Sequence, residues 1–269
     1  MTDISSDRQD RPRSAVTLAI LGIGLLALVA TLIALGTWQV YRLSWKLDLI
    51  ARVDARVHAE PVAPPTRADW AKVNAADDEY RRVTATGTFE NDKETLVAAS
   101  TALGAGYWVL TPLRLADGSA ILINRGFVPT DRRDPASRPE SEIDGPAGIT
   151  GLMRMTEPRG MVLRSNDPAA DRWYSRDVSA IAEKRGIADI APFFIDAEAT
   201  PNAGGLPVGG LTVLDFPNNH LVYAVTWYVL AFMVAGLLVY IARNEFRVRR
   251  AFLNDLLRNA ADRLGKLRL

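Results

Sequence analysis

Two uncharged apolar runs bracket this chain and restrict what can lie between them. One extends from Ser14 to Tyr41, 28 residues, and the other from Phe216 to Ala242, 27 residues. At a rise of 1.5 Å per residue, about 20 apolar residues cross a hydrocarbon core roughly 30 Å thick, so each run can span a bilayer. The 174 residues from Arg42 to Asp215 are polar enough to form a domain with its own core. The expected fold class is a membrane protein: two transmembrane helices bracketing a mainly β (α+β) extracytoplasmic domain, built as a small barrel or curved sheet. The expected segments are a tail over 1–14, a first span over 15–41, the domain over 42–216, a second span over 217–242 and a basic amphipathic tail over 243–269.

The Lys/Arg bias sets the orientation. Residues 201–219 hold no Lys or Arg, while Arg243, Arg247, Arg249 and Arg250 follow the second run at once. The C-terminus is therefore expected in the cytoplasm. Two spans return the N-terminus to the same side, and the cell (inner) membrane is the expected location. Ala34-Leu35-Gly36 has the small-x-small form of a signal-peptide cleavage site. The apolar run is too long for a signal-peptide core, however, and an uncleaved anchor is expected.

The chain carries 32 basic and 31 acidic residues, net +1, which gives no footprint for nucleic acid. The absence of cysteine excludes disulfides, thiolate metal sites and thiol redox chemistry. Met153, Met155 and Met161 could offer thioethers to Cu(I), but residues 153 and 155 share one strand face, where core packing is the commoner use. Gly22-Ile23-Gly24-Leu25-Leu26-Ala27 has dinucleotide-loop spacing, yet it lies inside the first apolar run with no strand before it. No copper, zinc or nucleotide site is expected, and no catalytic constellation calls for an enzyme.

Within the domain the apolar period falls to two. Strands are expected over 80–89, 94–98, 107–115, 120–128, 149–155 and 192–197, with a hairpin at Asp117-Gly118. A short helix over 177–185 ends at Gly186. Residues 43–57 keep helical spacing, 202–210 form a loop returning to the membrane, and 129–146 are expected to be the most mobile segment.

Of the two histidines, His58 sits among charged residues. His220 opens the second apolar run, where an ionisable group is a functional candidate by default. Neutral imidazole is a usual axial ligand for haem iron. An interfacial anchor is the equal alternative. Trp38, Arg42 and Trp45 share one helical face, extended by Lys46. With Tyr223, Trp227 and Tyr228 the tryptophans also suit an interfacial aromatic belt.

Four segments, LGTWQVYRLSWKLDLI (35–50), GYWVLTPL (106–113), ILINRGFVP (121–129) and NNHLVYAVTWYVLAF (218–232), together resemble the Surfeit locus protein 1 family of cytochrome c oxidase assembly factors. One departure is Phe127, where the family pattern has Trp. The resemblance implies a non-enzymatic assembly factor for a haem-copper terminal oxidase that assists insertion of haem a into subunit I. The alternative is a structural chaperone of subunit I that binds no haem itself. Implied partners are cytochrome c oxidase subunit I, other assembly factors such as haem a synthase, and membrane lipid. In that setting His220 is the candidate ligand to haem a, through haem iron only. Arg42 and Lys46 are candidates for the propionates, and Trp38, Trp45, Tyr223 and Trp227 for the ring. Arg125 is either a further contact reaching the membrane or a structural ion pair.

Overall fold

The computed structural model describes residues 12–161 and 163–266. Most of the expected N-terminal tail, the end of the C-terminal one and the side chain of Met161 lie outside the described residues. The chain divides into two compact units, residues 1–48 with 217–269, and residues 49–216.

The first unit is built on two long helices, α1 (Ala15–Val57, 43 residues) and α4 (His220–Lys266, 47 residues). Each is about 65–70 Å long, well beyond the thickness of a membrane. Neither stops where its apolar run stops: no Gly or Pro interrupts residues 42–57 or 243–258, and propensity carries both helices onward. Both are long and apolar enough to cross a membrane. A soluble core helix would bury that apolar surface, whereas Ile20, Ile23, Tyr41, Phe232 and Tyr240 are all at least two-thirds exposed. These helices flanking a β-rich domain fit a membrane protein with two transmembrane helices.

The second unit is a barrel. Its strands are β1 (Arg82–Phe89), β2 (Thr95–Thr101), β3 (Gly104–Leu115), β4 (Ala120–Pro129), β5 (Pro146–Met155) and β8 (Ile190–Ala197). A small β6–β7 ribbon (Gly160–Met161 with Arg164–Ser165) stands apart. The main sheet runs β1-β5-β8-β4-β3-β2. It closes because Gly87–Phe89 of β1 also pair with Leu113–Leu115 of β3. The result is a closed five-strand barrel, β1-β5-β8-β4-β3, with β2 added along the first half of the long β3. All pairings are antiparallel except β4–β8. A parallel pair needs a long crossover, and that crossover holds β5 and helix α3 (Val178–Arg185).

Two apolar layers follow from strand alternation. Val83, Ala85, Phe89, Leu113, Ile121, Ile123, Met153, Phe193 and Ile195 fill the barrel. Leu110, Leu122 and Phe194 face outward, where Val178 and Ile181 of α3 cover them together with Trp173. Because β4 is covered on both faces, its burial is continuous rather than alternating, the polar Asn124 and Arg125 included. Helix α3 is capped as its sequence predicts: the Asp177 carboxylate accepts from Ala180 N, and Gly186 ends it in the left-handed region (φ +62°).

Residues 129–146, expected to be the most mobile segment, are not a bare loop. Three 3-10 turns (Thr130–Arg132, Pro135–Ser137 and Pro139–Ser141) occupy much of it. They are pinned by Arg138, which is buried, donates to both Glu94 carboxylate oxygens and donates through Nε to Arg132 O. The last turns of α1 belong with the barrel: Arg56 donates to the carbonyls of Glu79 and of Ala76 in the one-turn helix α2 (Ala75–Asp78).

Candidate functional site

The two long helices run antiparallel and meet at three levels. Near one end, Glu245 accepts from Arg13 N (3.0 Å), and Arg249 donates to Arg13 O (3.1 Å). In the middle, Leu32 and Ala231 are buried. At the third level Gly36 lies against the Tyr228 ring: a Cβ there would come within 2.9 Å of it, so only glycine lets the helices approach this closely. The Tyr228 hydroxyl is then 3.0 Å from Thr37 Oγ1.

One turn further, His220 Nδ1 lies 2.7 Å from Gln39 Oε1. With the amide oxygen facing the ring, an acceptor, Nδ1 is the nitrogen that carries the proton and donates. The basic lone pair is thereby fixed on Nε2, which has no hydrogen-bond partner among the described residues. A metal-ligating histidine is typically held in this way, one ring nitrogen tethered to a carbonyl and the other open. The half-buried imidazole has lost part of its solvent and its ring orientation is set.

The remaining expected residues distribute around this pair. Trp38 (54 % exposed), Trp45 (49 %) and Tyr223 (53 %) present their rings outward, and Trp227 is half-buried. Arg42 and Trp45 are brought together: the Arg42 guanidinium carbon sits 4.6 Å from the centre of the Trp45 ring. That face of Trp45 is covered by a cation, a contact worth about 0.5–1 kcal/mol at an exposed site. Lys46, half-buried, continues the same side of α1.

Arg125 is not part of this cluster. It belongs to the barrel unit and is only 4 % exposed, with Nη2 donating to Ser141 O and its guanidinium carbon 4.9 Å from the centre of the Phe89 ring. Neither expectation for it holds in full: it is enclosed in the domain, and it makes no ion pair among the described residues. Its neighbours in the Asn-Arg-Gly triplet have structural duties too. Asn124 donates to Asp196 (2.7 Å). Gly126 has φ +130° and lies against the Val208 carbonyl, where a Cβ has no room.

The sequence reading missed two features. Gln39, the one amide in the first apolar run, is the partner that orients His220. The signal was available, since an amide inside hydrocarbon seeks a partner. The other is a buried charge centre on Asp196, which accepts from Arg154 (3.0 Å), Arg176 (3.1 Å), Asn124 and Thr212 (3.1 Å). Arg154 in turn donates to Glu79 (2.7 Å), and Arg176 Nε to Glu157 (3.0 Å). Burial alone would lower the Arg154 pKa, but Asp196 and Glu79 outweigh it and raise the value. Burial alone would raise Glu157, but Arg176 outweighs that and holds it below the ordinary range. The centre borders a cavity of about 210 Å3 but is fully satisfied, as a structural core of charge must be. Met153 is fully buried inside the barrel, and Met155 packs against the same core.

Comparison with known proteins covers the helix pair and the barrel alike. The sequence model of the SURF1 family matches residues 26–232, which include Gly36, Gln39, Arg125, His220 and Tyr228. Human Surfeit locus protein 1 is 38% identical over 226 residues, 77% of this chain and 72% of the human protein. Rat Surfeit locus protein 1 is 37% identical over 76% of this chain and 70% of its own. A SURF1-like protein of Monosiga brevicollis is 38% identical, covering 82% of this chain and 87% of its own. The chain therefore belongs to the SURF1 family.

Proposed function

We propose that this protein is an assembly factor for a haem-copper terminal oxidase, which holds haem a at the membrane boundary and assists its insertion into subunit I. The observation that carries this reading is the tethered His220, with Nδ1 committed to Gln39 and Nε2 open. When bound, haem a supplies an iron with an axial position to fill, a flat apolar ring, a farnesyl tail and two propionates. His220 fits the first of these requirements, with Nδ1 tethered to Gln39 and Nε2 open to the iron. Trp38, Tyr223 and Trp227 offer apolar ring surface around it. Arg42 and Lys46 supply cations one to two turns from Gln39 along α1. The covalent structure of haem is unchanged in this role, so the protein acts as a carrier rather than an enzyme.

The charge bias supports a cytoplasmic C-terminus and an extracytoplasmic barrel in the cell (inner) membrane. Alkaline phosphatase fused after Gly118 is then active and fused after Arg258 inactive. The partners proposed are subunit I of the oxidase, haem a synthase or another assembly factor that supplies the haem, and surrounding lipid. Loss of the gene tests the reading. Subunit I should be synthesised normally while its haem a content and oxidase activity fall. Full haem a occupancy in such membranes, with no second gene copy present, would sink it. Lowered oxidase activity with no haem on the purified protein would favour the purely structural chaperone.

A further inference from the structure

Arg125 differs from the other buried and half-buried arginines that anchor the barrel's carboxylates. Arg138 is paired with Glu94, Arg154 with Glu79 and Asp196, and Arg176 with Glu157 and Asp196. Arg125 is as buried as Arg138 and more so than Arg154 or Arg176, yet no carboxylate lies within 4.0 Å of it among the described residues. Its Nη2 is used by Ser141 O and one face is stacked by Phe89. Nε and Nη1 have no hydrogen-bond partner among the described residues. Burial pushes its pKa down; the more distant Glu94 and Glu142 pull it back up only in part, and Arg138 adds to the lowering. An unpaired buried cation is costly, and a bound anion removes that cost.

The space for one is present. Arg125 lines a cavity of about 180 Å3 at one end of the barrel, with Ile143, Ala147, Ile149, Thr200 and Asn202 among its walls. That volume is below the about 300–1,000 Å3 typical of sites for larger ligands, so the occupant has few heavy atoms. Ile143, Ala147 and Ile149 supply an aliphatic stretch of wall beside the polar one. Glu198 also borders the cavity, already held by Arg82 at 2.5 and 3.0 Å. A fixed negative charge in the wall disfavours a dianion, while a guanidinium edge opposite an aliphatic wall suits a planar monoanion on a short apolar stem.

We infer that the barrel binds a short-chain monocarboxylate at this cavity, with the carboxylate on Arg125 and the stem against Ile143, Ala147 and Ile149. The inference stands on the barrel alone and is independent of haem at His220. Propionate is the probe. Thermal unfolding of the full chain in detergent is followed as sodium propionate replaces sodium chloride at constant ionic strength.

The expected result is a saturable rise in Tm for the wild type. The apparent affinity should fall about tenfold or more in Arg125→Met, since a charge-assisted pair is lost. Arg125 is a core residue, so Thr200→Glu provides a second variant that leaves the core intact. Thr200 is exposed at the rim, and a carboxylate there should weaken propionate by a similar factor through repulsion. Absence of a saturable propionate response in the wild type would overturn the inference. So would undiminished affinity in Thr200→Glu, or a tighter response to inorganic phosphate than to propionate.

Discussion

The helix pair and the barrel of this chain handle polar groups in opposite ways. The helices expose their apolar side chains and keep few polar contacts within their apolar runs, Tyr228 with Thr37 and His220 with Gln39, besides those of Glu245 and Arg249 with Arg13 at one end. The barrel buries its apolar side chains and ties its rim and one flank together with Arg–carboxylate pairs around Asp196, Glu90, Glu94 and Glu198. In water the apolar interior supplies the drive to fold, and most of the barrel's arginines and carboxylates are tolerated out of water because they are paired, Arg125 being the exception. Between lipid-facing helices that drive is absent, so close approach at Gly36 and a few hydrogen bonds set the register. The lesson is where chemistry can sit: saturated charge in the barrel is structural, whereas the sparse polar contact of the helix pair leaves His220 Nε2 available.

Breaking the barrel side should give the largest effects. Asp196→Ala leaves Arg154 and Arg176 facing each other without their shared carboxylate, and a loss of about 3–5 kcal/mol of barrel stability is expected in denaturant unfolding of the full chain. Gly126→Ala places a Cβ against the Val208 carbonyl at φ +130° and strains the Phe127–Val208 bridge. The expected cost is about 1–3 kcal/mol by the same measurement.

Acid sharpens the contrast. Glu157, Glu90 and Glu198 are held below the ordinary glutamate value of 4.5. For the first two, burial pushes upward and is outweighed by Arg176, and by Arg114 with Lys93; for Glu198 the Arg82 hydrogen bond dominates. A folded-state pKa below the unfolded one means the native barrel binds fewer protons. Its contribution is complete above about pH 4.5 and is lost as pH falls through the depressed values. Unfolding midpoints followed from pH 7 to pH 3 should therefore drop only in the acid part of that range.

The smallest effect on the barrel should come from Gly36→Leu, which collides with Tyr228 and separates the helices at the level of Gln39 and His220. Unfolding of the barrel should be unchanged, while any haem absorbance of the purified protein falls. A barrel destabilised by Gly36→Leu would contradict the division of labour described above.

Much of this architecture is legible in the sequence because its signals are local. The two apolar runs, the period-two strands, the Asp117-Gly118 turn and the Asp177 and Gly186 caps of α3 each depend on a few neighbouring residues. The Asp117 carboxylate, for example, accepts from both Ser119 N and Ser119 Oγ. Barrel closure is not local. The pairing of Gly87–Phe89 with Leu113–Leu115, and of β4 beside β8, joins segments whose periodicity says nothing of their neighbours. The turns of 129–146 were not legible for a related reason, since Arg138 is anchored by Glu94, 44 residues away in sequence. The site was half legible. His220 stood out as an ionisable group at the edge of an apolar run, but the role of Gln39, 181 residues away, needed the helix pair. Arg125 stood out too, yet its enclosure in the barrel is a property of the closed sheet.

The most direct test is the absorption spectrum of the full chain purified from a strain that makes haem a, compared with His220→Ala. Helix α4 keeps its Leu, Val and Phe content in the variant, so both proteins should accumulate equally in the membrane. The wild type should carry a reproducible Soret band, and His220→Ala should lose it or shift it strongly. A His220→Ala protein with the wild-type spectrum and haem stoichiometry would contradict ligation by His220 and leave that imidazole as an interfacial anchor.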